Sequence, residues 1–198
     1  MITASVLWLS LSLAPAQLLN VDFNENDGVG WGGGGPNPSP TMSGAAVLGA
    51  AGDLWNGMDV SSGTNIALNY ANGNASPVTL TFTSGGGYDV NSFGGSTPFA
   101  STSYDALMEN YLFNSGMQQT ITLAGLATNA AYNLVLYNAA NSTAGGRTTY
   151  FTVNGVSKSS TWDGVSSTLV PGIDYVDFSC AMSDSSGKLV IAYRGDGT

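Results

Sequence analysis

"QTITLAGLATNAAYNLVLYNAA", residues 119–140, is the stretch on which the fold turns. Ile121 and Leu123 alternate with Thr120 and Thr122; after a break, Tyr132, Leu134 and Leu136 recur at every second position. A spacing of two puts side chains on one face of a strand, whereas a helix repeats near every 3.6 residues. Glycine and asparagine occupy the break, as turns require.

The pattern continues on both sides. "PVTLTFTS" (77–84) turns Val78, Leu80 and Phe82 one way and Thr79, Thr81 and Thr83 the other. "RTTYFTVNG" (147–155) offers Phe151 and Val153, and "GKLVIAYRG" (187–195) offers Leu189, Ile191 and Tyr193. In "YVDFSCAMSD" (175–184), Val176, Phe178, Cys180 and Met182 are expected on the buried face, with Cys180 behaving as a small hydrophobe. Half-buried strands in such succession predict antiparallel sheets and an all-β fold. One segment departs from it. In "STSYDALMENYLF" (101–113), Tyr104, Leu107, Met108, Tyr111 and Leu112 follow helical spacing, with Thr102 and Asp105 resembling a capping box. A short helix over 103–113 is expected, stopped by Asn114-Ser115-Gly116.

Composition narrows the function. Among 198 residues, 43% are apolar and 9% charged, and four Lys and Arg stand against thirteen Asp and Glu for a net charge of −9. A cation-poor chain lacks the means to bind phosphate backbones, so nucleic acid and anionic membranes are not expected partners. The chain has no His, which removes Ser-His-Asp and Cys-His catalysis. One cysteine allows no internal disulfide. Carboxylate-pair chemistry stays open, with Asp53, Asp59, Asp105, Glu109 and Asp163 as candidates.

"ITASVLWLSLSLAPA" is a short apolar run ending in Ala14-Pro15-Ala16. It is read as a signal peptide spanning 1–16, with cleavage before Gln17 and a domain over 17–198. No later run reaches the length of a membrane span.

"LLNVDFNENDGVGWGGGGPNPSP" (18–40) contains Gly28, Gly30 and Gly33 in dinucleotide-binding order. The Pro-rich continuation cannot begin the helix that fingerprint needs, so the segment is read as a loop. Asp22, Asn24 and Asn26 have D-x-N-x-N spacing, and Asp22 with Asp27 forms a calcium candidate. The competing reading is the outer face of a strand, shared by Asn20, Asp22 and Asn24, leading into an Asx-rich turn. Arg194-Gly195-Asp196 spells a cell-attachment tripeptide but is more simply a turn.

"GAAGDLWNGMD" (49–59), "YDALMENYLF", the opening stretch, "GGRTTYFTVNGV" (145–156) and "YVDFSCAMSDSSGKLVIAY" (175–193) together resemble a secreted domain of planctomycete and verrucomicrobial exported proteins, many of them sorted by a PEP-CTERM tail. The resemblance covers nearly all the chain from Asn20 onward and is similar also to galactose-binding-like and malectin-like jelly rolls. It implies an antiparallel jelly-roll β-sandwich with one short helix, in a bacterial protein exported to the cell surface or beyond. Such domains usually add one more strand where this sequence stops, and no PEP-CTERM tail is present. Tyr132 resembles the tyrosine corner of sandwich folds. The function expected is a non-catalytic extracellular module that binds glycans or cell-surface polysaccharide without a cofactor, calcium aside. A secreted polysaccharide hydrolase and a structural matrix protein are the alternatives. Trp31, Asn26, Asp27, Trp162 and Asp163 are the expected ligand-binding residues, a loop groove of aromatic and polar groups. Trp55 is a further aromatic candidate, with core packing as its plainer role.

Overall fold

The computed structural model describes residues 17–24, 40–90, 95–114, 116–140 and 145–196. In chain order its elements are β1 (Val21–Asp22), β2 (Asn56–Gly57), β3 (Gly63–Asn69), β4 (Ala75–Phe82), β5 (Gly86–Asp89), α1 (Asp105–Met108), β6 (Asn110–Phe113), β7 (Gln119–Ala124), β8 (Ala131–Tyr137), β9 (Arg147–Val153), β10 (Val156–Trp162), β11 (Tyr175–Met182) and β12 (Leu189–Gly195). Strands dominate and the helix is a single turn, so the chain is all-β.

The larger layer is an antiparallel sheet in the order β10-β9-β12-β7-β4-β3. Smaller pairs, β11-β8 and β1-β2, supply the residues that pack against it, and β5-β6 forms a further antiparallel pair. Phe151, Val153, Leu189, Ile191 and Tyr193 of the large sheet pack on Val176, Phe178 and Ala181 of β11. Leu68, Val78, Leu80 and Phe82 pack beneath Leu19, Val21 and Phe23, with the Phe23 and Phe82 rings edge to face at 5.0 Å. Two layers with a shared apolar interior are the arrangement of a β-sandwich.

Local chemistry explains the joints. Asn154 and Gly155, both at positive φ, link β9 to β10 in a two-residue turn whose twist suits antiparallel strands. The Tyr132 hydroxyl accepts a 2.9 Å hydrogen bond from the Ala127 N–H, so the corner seen in the sequence forms. On the outer face of β9 and β10, hydroxyls pair across strands, Thr148 with Thr161 at 3.0 Å and Thr152 with Ser157 at 2.8 Å.

Two expectations are corrected. The helix over 103–113 is only Asp105–Met108, because Asn110–Phe113 pairs with Gly86–Asp89 and Tyr111 stacks on Tyr88 at 5.4 Å. Asp105 does reach back, accepting from the Ser101 N–H at 3.0 Å, while Thr102 Oγ1 accepts from the Tyr104 N–H. Cys180 and Met182 do not face the core. The register shifts between Phe178 and Ala181, Cys180 takes φ 58° and is exposed, and Ala181 becomes the buried residue. A bulge adds one residue, and one residue inverts the alternation.

Candidate functional site

Between the layers lies a cavity of about 250 Å³. Its floor is the large sheet, through Leu80, Ile121, Leu123, Phe151 and Ile191. Its walls are residues 18–23 around β1 and residues 133–139 along β8, with Asn110 to Leu112 of β6 also in the lining. Leu and Ile dominate the lining, joined by Trp55, Tyr137 and the amides of Asn20, Asn133 and Asn138. Trp55 is held in place: its Nε1–H donates to Gly44 O at 2.9 Å, and its ring lies 6.3 Å from that of Tyr137. The Tyr137 hydroxyl accepts from the Val47 N–H and burial pushes it up to about 12.

Among the described residues one carboxyl lines this cavity. Asp22 is 1% exposed; burial pushes it up to about 7, and the Met42 N–H on its Oδ2 at 2.7 Å offsets only part of that. Glu109 is likewise pushed up to about 7, by burial first and then by the negative charges of Asp105, Asp89 and Asp22. A second polar group sits where β8 ends. The Asn138 side chain donates to Ser160 O and Ile173 O and accepts from Thr149 Oγ1 at 2.7 Å. Nearby Asp174 is fully buried, accepts from the Val170 N–H, and is pushed up to about 6 by burial.

The residues expected to bind a ligand fare differently. Asn26, Asp27 and Trp31 lie outside the described residues. Trp162 is 1% exposed and packs 6.1 Å from Phe99 in a core cluster with Met108 and Ala140, so its ring faces no solvent. Asp163 closes a turn, accepting from the Ser166 hydroxyl and from the N–H groups of Ser166 and Val165, which hold it below the usual carboxylate range. Asn20, Asp22 and Asn24 share a face of β1 as expected, but that face is buried. Asp22 accepts from the Met42 N–H in that buried face, while Asp27, its expected partner around calcium, lies outside the described residues. Among the described residues no cluster of three or more acidic or thiol groups is placed to hold a metal. The Arg-Gly-Asp tripeptide is not presented as a loop: Arg194 lies 4.4 Å over the Tyr150 ring and Asp196 accepts from the Thr148 N–H.

Sequence reasoning missed the cavity. One local sign was present: Leu134, Val135 and Leu136 are apolar at both parities of β8, which a strand with one wet face does not need. Among the described residues no helix is long and apolar enough to cross a membrane. Comparison of the chain with protein-family models, curated proteins and solved structures gave no match.

Proposed function

We infer that this chain is a non-catalytic, exported binding module whose ligand enters the cavity between the layers. The observation that carries the reading is the cavity itself: about 250 Å³ of chiefly aliphatic wall, with a few amides and one carboxyl converging on it. Concave apolar sites with sparse polar groups are where small domains hold ligands. The export half rests on the signal-peptide character of residues 1–16. Glycan binding remains a version of this reading, in which Trp55 supplies the flat ring that Trp162 does not.

Titration with a neutral apolar dye such as N-phenyl-1-naphthylamine, followed by Trp55 fluorescence, tests it. Saturable one-to-one binding, lost when Leu136→Trp fills the space, is expected. Soluble polysaccharides form a parallel titration. Absence of saturable binding by dye and polysaccharide alike would overturn the reading.

A polysaccharide hydrolase is the second reading. Asp22 and Glu109 favour it, two electrostatically linked carboxyls that both titrate near 7, where a general acid works well. Polysaccharide cleavage abolished by Asp22→Asn would establish it.

A further inference from the structure

What enters the cavity can be named from its edges, on the premise that the cavity is the binding site. Asn138 N–H donates to Asp174 O at 2.7 Å, one step beyond the Tyr137–Tyr175 pair of the β8–β11 ladder. By alternation the main-chain groups of Leu136 and Leu134 face β11, and those of Tyr137, Val135 and Asn133 face the opposite way. On β1, Asn20 O and Asp22 O accept from the N–H groups of Asn56 and Met58, so the main-chain groups of Leu19, Val21 and Phe23 face away from β2. Both sets belong to residues that line the cavity. Among the described residues β8 has β11, and β1 has β2, as its one strand neighbour. A strand edge is a row of donors and acceptors spaced for another strand.

The geometry points to an extended peptide strand, supplied by another polypeptide, lying between β1 and β8 and hydrogen-bonded to both edges. It would join the β2-β1 and β8-β11 pairs into one layer opposite the large sheet. Its alternate side chains would enter an interior floored by Leu80, Ile121 and Phe151, so it carries branched apolar residues at every second position. Charge selects further. Among the described residues the walls hold neither Lys nor Arg, and the chain around them carries a net charge of −9. An acidic strand is therefore disfavoured and a neutral or basic one selected. An aliphatic ligand would fill the same space but leave the edge donors and acceptors unmatched.

The probe is a capped synthetic peptide of about ten residues alternating valine and threonine, with lysine at both ends. Its controls are the same peptide N-methylated at alternate residues and the same peptide with glutamate for lysine. Saturable binding is expected, with slowed amide exchange at Val21 and Val135. N-methylation should weaken it at least roughly tenfold, the loss of one to two main-chain hydrogen bonds, and glutamate should weaken it too. Equal binding of the N-methylated peptide, binding without protection at those amides, or no binding would overturn the proposal. So would self-association of the chain that protects the same amides, since the occupant would then be a second copy. Dye binding without peptide binding leaves the cavity as the site and removes only the strand; failure of both removes the two together.

Discussion

The Asp22 carboxyl accepts a 2.7 Å hydrogen bond from the Met42 N–H, tying β1 to the segment that leads into β2. The bond is made in a buried setting that favours the protonated acid, and the stability of the fold follows from that.

Asp22 and Glu109 have ordinary values of 3.8 and 4.5 and are pushed up to about 7 in the fold. Between those limits the folded chain holds more protons than the unfolded one. Stability contributed by these acids is thus fully present below their unfolded values and is lost as pH rises to about 7. Urea midpoints measured from about pH 4 to about pH 8 should fall with pH, and Asp22→Asn should flatten the slope. A midpoint that rises with pH over this range would contradict the assignment.

Cys180 is exposed at a bulge with φ 58°. The native protein should react with a disulfide reagent as fast as an unhindered thiol, without prior unfolding. Glycine adopts that φ freely, so Cys180→Gly should leave stability unchanged or raise it by up to about 1 kcal/mol.

Trp162 fills the cluster around Phe99 and Met108. Trp162→Ala should cost about 3–5 kcal/mol in chemical denaturation. Its emission should resist acrylamide quenching, whereas a tryptophan at a sugar-binding surface would be quenched readily.

Phe151 and Leu134 come from opposite layers of the interior but differ in burial. Both line the cavity, but Phe151 is 5% exposed within the packed cluster, whereas Leu134 is only partly buried against it. Phe151→Ala should cost about 3–5 kcal/mol and Leu134→Ala about 1–2 kcal/mol, because part of the Leu134 surface already lacks packing partners. Equal costs would mean that the space is closed in solution.

Alternation was readable in β4 and β12, where one unbroken strand face meets the core. Val78, Leu80 and Phe82 of β4, and Leu189, Ile191 and Tyr193 of β12, are buried as their spacing predicts. Strand β10 was not readable. Its sequence, Val-Ser-Lys-Ser-Ser-Thr-Trp, turns only Ser160 and Trp162 fully inward, and that is why Trp162 looked like a loop residue. The helix overran because Tyr111 and Leu112 satisfy helical spacing locally, while their pairing with β5 is a long-range contact no local period reports. The bulge at Cys180 depends on register with β8, and the cavity on which strands lack a neighbour. Neither leaves a mark in a single segment beyond the apolar run at Leu134 to Leu136.

The hydroxyl pairs of Thr148 with Thr161 and Thr152 with Ser157 bear on the medium in which this protein works. Neutral hydroxyls carry no charge for dissolved ions to screen, so the outermost ladder of the large sheet keeps its cross-strand contacts in brine as in fresh water. The Lys158–Asp177 ion pair, at 3.7 Å and exposed to solvent, adds little that salt could remove. Added salt also eases the mutual repulsion of a net charge of −9. The fold thereby responds to acidity through its interior carboxyls, whereas added salt removes little that holds it together.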